Sequence, residues 1–346
     1  MLPLVGGGMQ TVTWEATLFR KTPLGVHRNC LALIEAYAAF APFWQRCLLA
    51  TYVGIGPPLA RCLGGNTKIM WKQADSIIAD LFAASGMSAQ EIAKALRDYV
   101  RVKREEADHL SFEKARESIY DQSFYPLVTH FTLAFQPSAV ARMRFVRRVV
   151  EAMSLTDATV ADLGCGSGAM LCEVLKVRPA WTGCGLDISE AAIRYARRLA
   201  AHKGVAERAQ FKTGCISDLP YSNKSLDVVI ASEVVEHLPK PERVFREFSR
   251  VLAPGGLLLV TMPVESHTPA HMNVLNSAEE LRGLCEGAGL TVNSVESRWH
   301  LSFGDDPKHI FAVAQIKAPG EPEVELAYPL PLPQMSSAAN SGMVSS

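Results

Sequence analysis

The residues best placed to do chemistry are three glycines at alternate positions, Gly164, Gly166 and Gly168, with Cys165 and Ser167 between them. The apolar run Val160-Ala-Asp-Leu163, with its acid Asp162, leads into them, and a helical pattern follows. A second apolar run, Trp181–Leu186, closes on another acid, Asp187. Glycine turns the backbone sharply and lets a ligand approach with no Cβ in the way. A strand, glycine loop and helix in succession deliver that ligand to the carboxyl ends of parallel strands. There, a carboxylate closing the second strand is placed to accept hydrogen bonds from the two hydroxyls of a ribose. The pattern describes a nucleoside site.

The spacing narrows the nucleoside. A dinucleotide loop reads G-x-G-x-x-G and seats a pyrophosphate on a helix N-terminus. Here it reads G-x-G-x-G behind Asp162, and an acid at that place repels a pyrophosphate but suits a ligand bearing an ammonium and a sulfonium. The loop resembles motif I of the class I S-adenosylmethionine-dependent methyltransferases, and Gly185-Leu-Asp-Ile-Ser189 resembles their second motif. The resemblance continues through Gly214–Tyr221, Leu226–Leu238 and the Leu252-Ala-Pro-Gly-Gly256 turn, so that it runs from about Ser154 to Lys317.

The resemblance implies S-adenosylmethionine as methyl donor, leaving as S-adenosylhomocysteine. It places the methionine portion on Asp162 and on the backbone of Gly164, Cys165, Gly166 and Gly168, the ribose on Asp187, and the adenine against Ile188. Many relatives carry an aspartate for the adenine amino group where this chain has Cys215, a poor acceptor. Adenine recognition then falls to the backbone of Ile216, or to Asp218 moving in, with Ser232 at the rim of the cofactor site.

Acceptor chemistry has several candidates. Ser232-Glu-Val-Val-Glu-His-Leu238 follows the fourth strand and offers Glu233. With Glu236 and His237 it resembles the ligand string of metal-dependent small-RNA 3′-end methyltransferases, and His267 or His271 would complete that set. The same string is common in metal-free relatives, where it opens a helix with acids near its positive end. Balanced charge and the lack of an RNA-binding segment favour that reading, so no metal is expected. His267 and His271, in the loop after the fifth strand, are candidates to bind or deprotonate the acceptor, since imidazole titrates near neutral pH. Upstream, Ile119–Tyr125 resembles the aromatic lid of such enzymes, with Tyr120 and Tyr125 shielding the sulfonium and touching substrate, though as core aromatics they would be equally ordinary.

Alternating apolar and helical patterns position these residues. Strands are expected at 159–163, 181–187, 209–213, 226–232, 255–262, 290–299 and 308–317. Helices are expected at 168–177, 189–202, 240–252 and 277–287, the last opened by a Ser277/Glu280 capping box. This predicts an α/β fold, a Rossmann-like doubly wound, seven-stranded, mostly parallel sheet whose last two strands form a hairpin. An all-helical domain over 1–138 is expected before the cofactor domain at 139–317, with a disordered tail at 318–346. Within the helical part, 68–85 keeps its apolar residues on one face, and Ser88 and Glu91 cap a second helix running to about His109. Further helices are expected at Ser111–His130 and Ala139–Met153. The first pair reads as a helical hairpin in preference to a helix-turn-helix, because no basic recognition face follows.

Composition bounds the rest. Of 346 residues 48% are apolar and 20% charged, and Lys+Arg and Asp+Glu balance at 35 each. No basic field for nucleic acid results. Eight scattered cysteines without C-x-x-C spacing point to free thiols in a reducing cytoplasm. The apolar stretch Leu31–Leu59 is interrupted by Glu35, Arg46 and three prolines, too short for a span of about 18 residues. The expectation is methyl transfer to an O, N or S atom of a small metabolite, with no nucleic-acid or membrane partner and the helical domain as lid and homodimer interface. Rival readings are a cofactor-sensing regulatory protein, a peptide or RNA methyltransferase, and aminopropyl transfer, which has no use for Asp162.

Overall fold

A computed structural model describes Leu33 and residues 67–105, 119–135, 137–264, 271–298 and 309–316. The chain divides into two compact units, one of residues 1–75 with 331–346 and one of 76–330. Of the first, only Leu33 and the opening of helix α1 (Thr67–Ser85) are described.

In the second unit a seven-stranded sheet forms from β1 (Thr159–Leu163), β2 (Thr182–Asp187), β3 (Ala209–Thr213), β4 (Leu226–Ser232), β5 (Leu252–Pro263), β6 (Thr291–Arg298) and β7 (His309–Gln315). The order is β3-β2-β1-β4-β5-β7-β6, and β7 alone runs antiparallel to both its neighbours. The turn expected between β6 and β7 lies outside the described residues. Burial on both faces explains the apolar runs of the central strands. In β4, Val228 and Ile230 enter one core with Leu171, Leu175 and Leu199, while Val229 and Ala231 enter the other with Phe245 and Phe248. This is the two-residue period of a strand.

Helices cover both faces: α2 (Ala89–Glu105), α3 (Tyr125–Phe135), α4 (Pro137–Ala152), α5 (Ala169–Val177), α6 (Glu190–His202), α7 (Pro241–Val251) and α8 (Ala278–Gly287). Their ends follow local chemistry. Ser189 Oγ accepts from the Ala192 N–H at 3.1 Å, and Ser277 Oγ from the Glu280 N–H at 3.3 Å. Ser88 and Glu91 form the reciprocal pair of a capping box, with the Ser88 N–H donating to Glu91 at 2.8 Å and the Glu91 N–H to Ser88 Oγ at 3.3 Å.

Two sequence expectations need correction. The helix expected over Ser111–His130 is interrupted by a turn at 121–124, and α3 begins at Tyr125. Pro126 is the cause, because proline has no N–H and fits only the first turn of a helix. The E-x-x-E-H string does not open a helix either. It makes a single 3₁₀ turn, Val235–His237, then Leu238 turns extended at φ −108° and ψ 141°, as a residue before proline must.

The helices near the N-terminus of the unit are tied to the sheet layer by polar contacts under cover. Lys203 Nζ reaches Asp80 Oδ2 at 2.6 Å and Glu173 Oε1 at 3.4 Å. His130 Nδ1 meets the Tyr195 hydroxyl at 2.6 Å, and burial pulls the imidazole down to about 4. The imidazole is therefore neutral and acts as a hydrogen-bonding group.

Glycines fix the close approach of α5 to the sheet. At Gly168 φ is +75°, and a Cβ there would sit 2.7 Å from Ala196 Cβ and 2.9 Å from Phe211 Cε1. Gly204 shares the left-handed conformation at φ +69° but has open space around it. The Gly168→Ala variant should lose about 2–5 kcal/mol in urea denaturation, backbone strain adding to overpacking, against about 1–2 kcal/mol for Gly204→Ala. Equal losses would show that contact plays no part.

Candidate active site

The sheet order reverses between β1 and β4, which opens a crevice at their carboxyl ends. The loop after β1 is stitched to the end of β2. The N–H groups of Gly164 and Cys165 both donate to the Leu186 carbonyl, at 2.7 and 3.0 Å. The Gly166 N–H donates to Asp187 Oδ2 at 2.7 Å, and the Ser189 N–H to Oδ1 at 2.9 Å. Each carboxylate oxygen keeps a lone pair for a further donor. Gly164, Gly166 and Gly168 all have positive φ, so an L side chain at any of them would be strained.

A cavity of about 210 Å³ sits on this loop. Gly164, Asp187, Ile188, Gly214, Cys215 and Ile216 line it at the strand ends. Tyr99, Tyr120, Tyr125, Glu233 and His237 also line it, with Ile119, Val128 and Leu238 adding apolar wall. Nine of the residues singled out in the sequence therefore share one space: Gly164, Asp187, Ile188, Cys215, Ile216, Tyr120, Tyr125, Glu233 and His237.

The others stand elsewhere. Asp162 is 2% exposed beneath the loop, where the Leu171 N–H helps hold it. Cys165 packs back against the sheet at Gly185, and Gly166 and Gly168 shape the loop from outside the cavity wall. Ser232 bonds Thr261 Oγ1 at 2.9 Å. His271 stands behind the wall against His237, their ring centroids 5.1 Å apart, and His267 lies outside the described residues. Asp218 closes a turn, its N–H donating to the Cys215 carbonyl at 3.3 Å, and it is absent from the wall.

Sequence reasoning missed a supporting layer. Glu233 adopts φ +55°, a conformation that costs a non-glycine residue about 1–2 kcal/mol. It is held there because its N–H donates to the Thr261 carbonyl at 3.0 Å, and Thr261 Oγ1 donates to its Oε1 at 3.0 Å. Arg142, from α4, approaches Oε2 at 3.7 Å. Only Glu233 itself carried a sequence signal. Arg142 was visible as one of four arginines on a helix with nothing to mark it.

Two charges are kept under strain. Burial and the neighbouring Asp187 push Asp162 up to about 7, and burial pushes Asp187 up to about 6. Asp162 Oδ2 has no hydrogen-bond partner. The phenols of Tyr120 and Tyr125 are also driven up by burial, so both remain protonated donors.

Among the described residues, Glu236, His237 and His271 each offer a donor atom, all within 4.8 Å of one another. A zinc ion holds ligands at about 2.0–2.1 Å, hence roughly 3.3 Å apart. The Glu236 Oε1 to His237 Nε2 distance is 3.9 Å, so the cluster would have to contract around an ion.

Comparison with known proteins agrees with this geometry. Residues 155–311 match the family model of a methyltransferase domain. Norajmaline N-methyltransferase of Rauvolfia serpentina is 30% identical over 166 residues, covering 46% of this chain and 54% of the relative. The 27-O-demethylrifamycin SV methyltransferase of Amycolatopsis mediterranei is 31% identical over 159 residues, covering 46% and 57%. Residues 155–311 are a class I S-adenosylmethionine-dependent methyltransferase domain. The biotin biosynthesis bifunctional protein BioHC of Teredinibacter turnerae is 27% identical over 276 residues, 72% of this chain and 45% of that one. The chain spans about half the length of these relatives.

The methyl donor of this family fits the residues present. The unpartnered oxygen of Asp162 suits the methionine ammonium, and the spare lone pairs of Asp187 suit the ribose hydroxyls. Both interactions favour the ionised acids. Between the usual carboxylate range near 4 and the raised values, the ligand-free fold holds protons that the unfolded chain has released. The contribution of these groups to stability therefore falls as pH rises across that window, and a ligand needing the charged forms drives the protons off. Donor affinity should tighten from pH 5 to pH 8, and calorimetry in buffers of different ionisation enthalpy should report proton release. Affinity flat with pH would exclude this use of Asp162 and Asp187.

Proposed function

We propose that this protein transfers a methyl group from S-adenosylmethionine to an oxygen, nitrogen or sulfur atom of a small, largely apolar metabolite. The observation that carries the reading is Asp187. It is locked by two backbone donors to the glycine loop and to the start of α6, and it faces the same cavity as Tyr120, Tyr125 and His237. The bound donor supplies a sulfonium carbon open to in-line attack by a lone pair.

The chain's own work is alignment and exclusion of water. Asp187 and the backbone of Gly164 orient the sugar end, and Ile188 and Ile216 offer apolar faces to the base. Cys215 is exposed at the lip and offers no strong acceptor, so base recognition rests on the Ile216 backbone. At the other end Tyr99, Ile119, Tyr120, Tyr125 and Val128 form an apolar cover over the reacting atoms. In this reading the helices before β1 are a lid.

Two features support a small acceptor: a cavity walled mainly by apolar and aromatic side chains, and relatives named for norajmaline and 27-O-demethylrifamycin SV. The described residues contain no helix long and apolar enough to cross a membrane, which accords with work in the cytoplasm.

The test is a panel of small hydroxyl, amine and thiol compounds incubated with labelled donor, with S-adenosylhomocysteine release as readout. Turnover is expected on at least one, together with a loss of donor affinity of more than tenfold in Asp187→Ala by calorimetry. Donor binding unchanged in that variant, or turnover on peptide or RNA alone, would overturn the reading.

A further inference from the structure

One group of side chains has no part in holding the donor. Glu236 is 2% exposed, and its Oε2 has no hydrogen-bond partner. Its Oε1 lies 3.9 Å from Nε2 of His237, whose imidazole forms part of the cavity wall. The His237 ring is flanked by Tyr120, with centroids 6.0 Å apart, and by His271 at 5.1 Å. A buried carboxyl behind an imidazole that faces substrate is the arrangement of a base held by an acid. Such hydrogen bonds are often long in ligand-free enzymes and tighten when substrate binds.

The segment is also fixed from behind. The N–H groups of Met272 and Asn273 both donate to the Glu236 carbonyl, at 2.7 and 3.0 Å, and the Asn273 amide reaches the Leu238 carbonyl. The rival groups are poorly suited. Burial drives the Tyr120 and Tyr125 phenols up, Glu233 is engaged by Thr261 and Arg142, and His271 stands off the cavity wall.

We infer that His237 is the catalytic proton acceptor and Glu236 its positioning residue, and that the substrate is a hydroxyl compound or protonated amine on an apolar or aromatic body. The inference rests on the methyl-transfer reading. The acceptor's O–H or N–H bond breaks and its proton passes to the imidazole. The electron pair left behind forms the new bond to the methyl carbon, and the C–S pair returns to sulfur. The imidazolium then gives its proton to solvent. Among the described residues, Glu236 from its own segment, Tyr120 from just before α3 and His271 from beyond β5 face His237, and Glu233 acts on Glu236. Arg142, from α4, acts on both glutamates.

Three variants of the full-length protein test this: His237→Gln, Glu236→Gln and, for assignment of the imidazole signal, His237→Asn. Each is first tested for S-adenosylhomocysteine binding by calorimetry, where affinity within about threefold of wild type is expected. On hydroxyl or amine acceptors His237→Gln should lower kcat about 10²–10⁴-fold. Glu236→Gln should lower kcat with KM unchanged. Burial and Glu233 hold the Glu236 carboxyl well above its usual range, so it ionises in company with a protonated His237; glutamine cannot, and the rise of kcat with pH should move to lower pH. Nitrogen-15 histidine spectra should show the same downward shift of the His237 titration without any substrate.

Retention of kcat within threefold in His237→Gln, an unmoved titration in Glu236→Gln, or turnover confined to thioethers would overturn the inference. So would loss of activity in a chelator with recovery on adding Mn²⁺ or Zn²⁺, which would make the cluster a metal centre. Wild-type protein that fails to bind S-adenosylhomocysteine would overturn the methyl-transfer reading itself, an outcome distinct from failure of His237 alone.

Discussion

The hydrogen bond from the Gly166 N–H to the Asp187 carboxylate is the contact on which the site depends. It joins two segments 21 residues apart, the loop after β1 and the end of β2. A hydrogen bond to a charged group contributes about 1.5–3 kcal/mol, and one made under cover cannot be replaced by water. The Ser189 N–H takes the other oxygen, so a single carboxylate sets the loop and the opening of α6 together. Without Asp187, Gly166 would lose its tie to β2, and the bonds of Gly164 and Cys165 to the Leu186 carbonyl would hold the loop in its place. Each oxygen keeps a lone pair, so the brace stays open to a further donor from the cavity.

The sheet was open to sequence reading because its physics is local. Strands buried on both faces need continuous apolar runs, and those between Thr159 and Gln315 stand within a few residues of where the pattern puts them. The nucleoside end of the cavity was legible for a similar reason. Glycines needed for positive φ and acids needed at strand ends lie close together in the chain and leave a recognisable spacing.

The rest of the cavity was legible only in part: Tyr120, Tyr125, Glu233 and His237 were singled out, but the remaining wall is assembled from distant segments whose residues are ordinary in themselves. Tyr99 and Val128 come from separate helices, and nothing in their neighbourhood distinguishes a wall residue from a core residue. Arg142 reaches Glu233 across 91 positions, a relation no local pattern encodes. The left-handed conformation of Glu233 is likewise imposed by its bonds to Thr261, since glutamate has no preference for it. Pro126 was a readable signal: a helix drawn through it ignored the loss of a donor and the clash that proline brings.

The Glu236 carbonyl takes two amides of the segment after β5, and the Asn273 side chain fastens that segment to Leu238. Such bonds are individually modest, about 0.5–1.5 kcal/mol each. Three of them together tie residues 272–273 to the 3₁₀ turn that carries His237. Since the same carbonyl belongs to the residue behind His237, whatever displaces residues 272–273 is felt at the imidazole's backing.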